Sequence, residues 1–191
     1  MQGLVNLDFF RNLPLAIQPR LWLPTLEIDS ILELPVGLPN HVKAIVFDVD
    51  QTILPFNMLK VSKVIRAHIK QLSSGYACCL LSNYPKTLSR MKRLEAVRNQ
   101  LNLPLALSSR NKPDLEAFHA AQDILHVERS EMAIVGDRVL TDVLGGNNYG
   151  IVTVLVKPIL PSADPFLWVA MPRRIEQFFL SILKLIYTRV K

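Results

Sequence analysis

The chain is short of the residues that staple small secreted folds or template metal centres. It has two cysteines in 191 residues. These, Cys78 and Cys79, are adjacent in an apolar run rather than spaced as C-x-x-C, which argues against a thiolate zinc cluster or a dithiol redox motif. They read as reduced core residues of an intracellular protein. His41, His68, His119 and His126 make no H-E-x-x-H or comparable spacing, so a histidine-held metal is not expected. No window offers the roughly 18 uncharged apolar residues of a membrane-spanning helix. The opening Met1–Asn12 carries Asp8 and Arg11 without a basic leader, and it is too poor in Ser and Arg for an organelle transit peptide. The expected address is the cytoplasm, peripheral at the inner face of a membrane, or the matrix face of an organelle in a eukaryotic host.

What is present is apolar mass and positive charge. Half of the residues are hydrophobic and the formal net charge is +6, so one domain can bury a sizeable core while its surface favours a polyanionic partner. Residues 1–40 hold Pro14, Pro19, Pro24, Pro35 and Pro39 among many leucines and isoleucines. That density excludes a long helix and suggests an apolar arm that wraps the body or touches lipid. Residues 41–170 form the expected core and 171–191 a terminal helix. Within the core, short apolar runs at Val42–Phe47, Tyr76–Leu81, Leu103–Leu107, Met132–Val135 and Ile151–Val156 alternate with stretches of helical periodicity. This pattern predicts an α/β fold, with a mainly parallel five-stranded sheet and flanking helices. Ligands of such sheets bind beyond the carboxyl ends of the strands.

Those ends carry Asp48 and Asp50, then Ser82 and Asn83, then Lys112, then Asp137 and Asp142. Each has an ordinary structural explanation in isolation: a solvated turn, a helix N-cap, a surface lysine. Together they describe one crevice. Two carboxylates flanking Val49 repel unless a cation lies between them. Mg²⁺, which takes carboxylate and carbonyl oxygens and is shared with substrate phosphates, supplies it. A carboxylate can also attack phosphorus and divide hydrolysis into two steps. Lys112 before Pro113, and Ser82 with Asn83 at an expected helix start, suit phosphate oxygens.

The order D-x-D-x-T (Asp48, Asp50, Thr52), strand-terminal Ser82, Lys112-Pro113 and Gly136-Asp137-x-x-x-x-Asp142 resembles the four motifs of the haloacid dehalogenase superfamily, over residues 42–157. The resemblance implies a Rossmann-like fold and a Mg²⁺-dependent phosphomonoester hydrolase with Asp48 as nucleophile and Asp50 as general acid and base. It implies Ser82, Asn83, Lys112 and Thr52 as substrate binders, Asp48, Asp50 (through its carbonyl) and Asp137 as metal ligands, and Asp142 as an outer ligand. Asp50, absent from the superfamily's dehalogenases, favours phosphate chemistry.

Only one helix fits between Thr52 and Tyr76, and almost nothing fits between Leu107 and Lys112, so the enzyme is expected to be capless. An open crevice suits a large or surface-bound substrate. The chain as a whole resembles the capless branch that contains YqeG-type proteins and the mitochondrial and plastid phosphatidylglycerophosphate phosphatases, which implies that phospholipid as substrate. Ile175, Phe178, Phe179, Ile182, Leu183, Ile186 and Val190 at helical spacing, with Arg173, Arg174, Lys184, Arg189 and Lys191, form a basic amphipathic helix. It lies on an anionic membrane or docks on the sheet with its basic face in water. The cluster Lys86, Arg90, Lys92, Arg93 and Arg98 reads as crevice-rim charge or a solvated helix face. It lacks interleaved aromatics, so nucleic acid is not the expected partner. Competing readings are a phosphatase for a nucleic-acid or soluble sugar phosphate and a non-catalytic scaffold.

Overall fold

The computed structural model describes residues 17–83 and 87–188; the first sixteen residues of the expected arm, and Lys86, Arg189, Val190 and Lys191, lie outside them. The strands are β1 (Leu26–Ile28), β2 (Ala44–Phe47), β3 (Ala77–Leu81), β4 (Leu105–Ala106), β5 (Met132–Gly136) and β6 (Val152–Val156). All pair in parallel, in the order β1-β6-β5-β2-β3-β4. Strands β2, β5 and β6 are buried at every position, as continuous apolar runs are when both sheet faces are covered.

The expectation of five strands is corrected to six. β1 is three residues long, too short to display a period, and its place is set by its partner. Thr25 N–H donates to Thr153 Oγ1 at 3.1 Å, and Asn147 Nδ2 donates to the carbonyls of Leu21 and Leu23, each at 2.9 Å.

Alternate residues of each strand face opposite layers. Ile45, Phe47, Ala133 and Val135 pack with α1 (Lys63–Leu72) and α2 (Leu88–Leu101), whereas Ala44, Val46, Met132 and Ile134 pack with α3 (Leu115–Leu125) and α4 (Leu144–Tyr149). Ser62, Thr87 and Asp114 cap the first three helices through their side chains. The chain runs from β2 outward to β3 and β4, then returns to β5 on the other side of β2. That reversal opens a crevice at the carboxyl end of β2. Between β2 and β3 lie only turns and α1, and no element is inserted between β4 and α3, so neither place holds a cap insertion among the described residues. The last helix, α5 (Met171–Thr188), turns Leu180 onto Val139, Val143 and Leu155.

One close approach fixes the crevice wall. A Cβ on Gly145 of α4 would lie 2.7 Å from the Phe118 ring and 2.9 Å from Pro113 Cα, the residue after Lys112. Gly145→Ala is expected to lower stability by about 1–3 kcal/mol through overpacking, read as a lower urea midpoint. An unchanged midpoint would contradict the packing described.

Candidate active site

The carboxyl ends of four strands bring the charged residues together. Asp48 follows β2 and its N–H donates to Val135 O at 2.9 Å. Lys112 is almost wholly buried and donates to Asp48 Oδ1 at 2.5 Å, Asp142 Oδ1 at 2.6 Å and Leu81 O at 3.2 Å. Its three protons are therefore all used. Asp142 sits on a wide turn (Val139–Val143), and its Oδ2 accepts the Arg138 N–H at 3.1 Å. Asn83 Oδ1 accepts the Lys112 N–H at 3.0 Å, tying the ends of β3 and the Lys112 loop. The cleft they border measures about 550 Å³ and is also lined by Ser82, Asp50 and Asp137.

Among the described residues, the carboxylates differ in what remains free. Both oxygens of Asp142 are bonded. Asp50 is held by Arg93, whose Nη2 and Nη1 donate at 2.5 and 3.1 Å. Asp137 Oδ2 accepts from Arg173, which also pairs with Asp164. Asp48 and Asp137 both line the cleft and each keeps one oxygen, Asp48 Oδ2 and Asp137 Oδ1, for which no hydrogen bond is found among the described residues; in Asp48 the other oxygen is fixed by the Lys112 ammonium, in Asp137 by Arg173.

Electrostatically the site crowds the buried carboxylates of Asp48, Asp137 and Asp142 around the Lys112 ammonium. Burial foremost pushes Asp48 up to about 7, opposed by the Lys112 ammonium and reinforced by Asp142. Burial likewise pushes Asp137 up to about 8, with the Asp48 charge adding and Arg173 opposing. Lys112 is held above its ordinary value, because Asp142 and Asp48 outweigh its own burial. Oxygens of Asp48, Asp137 and Asp142 lie within 4.8 Å of one another. Carboxylates so close and so reluctant to ionise fit an oxygen-seeking divalent cation.

Several expectations need correction. Thr52 does not border the cleft: it is 1% exposed and its hydroxyl has no hydrogen-bond partner. Gln51 at φ 63° turns the chain there, and the side chain after it points inward. Ser82 does border the cleft but does not start a helix, since α2 begins at Leu88 behind Thr87. Arg93, read as part of a surface cluster, is buried. The signal was its register, one turn before Val97 and two before Leu101 on the buried stripe of α2.

Gln51 and Glu176 were not anticipated, and Arg173 was expected only as a charge on the terminal basic helix. Gln51 Nε2 donates to Leu160 O at 2.8 Å and Asp164 Oδ1 at 2.6 Å. Glu176, 1% exposed, accepts the Val139 N–H at 3.0 Å and pairs with Arg138. Arg173 and Glu176, one helical turn apart, thus clamp the loop that carries Asp137.

In metal-free protein, Asp48 and Asp137 keep protons at pH values where the unfolded chain, with carboxyls near 3.8, has lost them. The folded state then binds more protons, so stability falls as pH rises from about 4 through about 8, and below that window the effect vanishes. Melts in a chelator should show this decline between about pH 5 and about pH 8, and Mg²⁺ should flatten it. A chelated protein that gains stability across that range, or a slope indifferent to Mg²⁺, would contradict the charge balance.

A family model described as mitochondrial PGP phosphatase matches residues 10–160. The chain is 30% identical over 146 residues to the Bacillus subtilis protein named "Probable phosphatase YqeG", covering 76% of this chain and 80% of that one. It is 29% identical over 168 residues to the mitochondrial phosphatidylglycerophosphatase of Saccharomyces cerevisiae, covering 81% and 88%. One solved structure aligns with a TM-score of 0.52 at 17% identity over 77% of this chain and 84% of its own, a likeness of fold. With most of its length matched by that model, and with a relative at 30% identity across most of both chains, the protein belongs to the mitochondrial PGP phosphatase family.

Proposed function

We propose that the chain removes the terminal phosphate of phosphatidylglycerophosphate at a membrane surface, with Asp48 as nucleophile. The observation that carries this reading is the Lys112 ammonium at Asp48 Oδ1, which fixes that carboxylate at the cleft and leaves its Oδ2 without a hydrogen bond, whereas Asp137 is paired with Arg173 of α5. Membership of a phosphatase family whose yeast relative is named for that lipid supports the substrate.

Asp48 Oδ2 forms a bond to phosphorus as the bond to the glycerol oxygen breaks, and Asp50 gives its proton to that departing oxygen. Water then attacks the aspartyl phosphate, its proton passes to Asp50, and Asp48 is restored as phosphate leaves. Ser82 and Asn83 hold phosphoryl oxygens, and Lys112 keeps the Asp48 carboxylate charged and aligned. Asp48, Asp137 and the Asp50 carbonyl would hold Mg²⁺, with Asp142 behind them. Mg²⁺ supplies charge stabilisation for the phosphoryl oxygens when bound.

The surface supports lipid as the setting. Helix α5 turns Arg173 and Glu176 inward and leaves Ile175, Phe178, Phe179, Ile182, Leu185 and Ile186 exposed, Phe178 at 63%. An apolar face of this size on a chain of charge +6 fits the interface of an anionic bilayer. The N-terminal end of the same helix reaches the cleft through Arg173. We therefore assign residues 41–170 to catalysis and 171–191 to a peripheral membrane contact. No described helix is long and apolar enough to cross a membrane.

Phosphate release from phosphatidylglycerophosphate in mixed micelles should require Mg²⁺ and fall on the order of 10⁴–10⁶-fold in Asp48→Asn. Release from a soluble ester alone would overturn the lipid substrate, and release unchanged in the variant would overturn the mechanism. Phe178→Ser with Ile182→Ser should weaken sedimentation with phosphatidylglycerol vesicles while the melting temperature is retained. Undiminished sedimentation would overturn the role of α5.

A further inference from the structure

Arg93 stands outside the motifs, and among the described arginines at the cleft it is the one that pairs with Asp50. It grips both oxygens of Asp50 through Nη2 at 2.5 Å and Nη1 at 3.1 Å, while its Nε donates to Met58 O at 2.8 Å. Its side chain is 9% exposed, against 31% for that of Asp50. The stem lies in the buried stripe of α2 with Leu94 and Val97, so the guanidinium is fixed from both ends. Asp50 Oδ1 further accepts the Asn57 N–H at 3.2 Å.

From this geometry we infer that Arg93 is a positioning residue for Asp50, which it orients as the proton donor and acceptor of the reaction. The inference rests on the phosphatase reading above. Asp50 lies on a turn beyond β2, where a lone carboxylate swings between rotamers and Lys112, Arg138 and Arg173 line the same cleft. A two-point guanidinium fork fixes the plane of a carboxylate as a single ammonium cannot. A glycerol alkoxide is a poor leaving group, so proton transfer from Asp50 matters more for a lipid ester than for an activated aryl ester. Proton transfer of this kind contributes about 10²–10⁴-fold.

The test uses the full chain with Mg²⁺, comparing wild type, Arg93→Gln, Arg93→Lys, Asp50→Asn and the Arg93→Gln/Asp50→Asn double variant. Arg93→Gln should lower kcat/KM on phosphatidylglycerophosphate about 10²-fold or more. Its loss in kcat/KM on dinitrophenyl phosphate should be at least about tenfold smaller, because kcat/KM reads the transfer to Asp48 before the shared hydrolysis step and that leaving group needs no proton. The double variant should be no slower than Asp50→Asn alone, as residues acting through one group are non-additive. Arg93→Lys, which keeps the charge but not the fork, should recover only part of the loss. Equal losses on both esters, or additive losses in the double variant, would overturn the inference while leaving the phosphatase reading intact. If Arg93→Gln fails to fold, Arg93→Lys carries the ester comparison with the same two outcomes. No phosphate release by wild type from any phosphomonoester would overturn the phosphatase reading and this inference with it.

Discussion

The contact on which the site depends is the buried ammonium of Lys112 between Asp48 and Asp142, at 2.5 and 2.6 Å. Removing three charges from water is costly unless each is paired and hydrogen-bonded. Here the ammonium has three acceptors, and the Arg138 N–H takes the second oxygen of Asp142. Because Lys112 is itself held by Asn83, and its loop by the Gly145 approach to Pro113, the charge sits at one point relative to β2, β3 and β5. Burial foremost, and the neighbouring carboxylate charge after it, raise the proton affinities of Asp48 and Asp137, and a divalent cation would offset both.

The same charge balance explains how the C-terminal segment is used. Asp137 needs a counter-charge, and Arg173 provides one from α5. Glu176, one turn on, binds the adjacent backbone N–H groups and Arg138. Committing these polar groups inward leaves the apolar stripe of the helix outward, the reverse of an ordinary surface helix. Trp22 meets Phe179 edge-on at 6.0 Å, so the N-terminal segment, α5 and the Asp137 loop form one connected wall. The inward polar face of the helix thereby serves the site, and the apolar face opposite it is the one proposed to meet lipid.

Much of this was legible where function is local. Asp48, Asp50, Lys112, Asp137 and Asp142 follow runs whose apolar character marks them as strands, and a parallel sheet gathers such ends in one crevice. Contacts made across sequence were not legible. β1 has three residues and exists because β6 offers an edge. Arg93 looks like one more cation on a basic helix, and only its register with Val97 and Leu101 hints that it turns inward. The helical period of α5 was plain, but which face docks depends on Asp137, Arg138 and Asp164, 9 to 38 residues away. Thr52 illustrates the converse: the family resemblance implied substrate contact, but after one left-handed residue, Gln51, its side chain is buried.

The central claim is that Asp48, whose Oδ1 is fixed by the Lys112 ammonium while Oδ2 is unengaged, takes the phosphoryl group. Borohydride added during turnover reduces an acyl phosphate to the alcohol, converting aspartate to homoserine. Peptide mass spectrometry should then find homoserine at position 48 and at no other carboxylate, in amounts that depend on substrate. Homoserine at Asp50, Asp137 or Asp142, or none in enzyme that is releasing phosphate, would contradict the account.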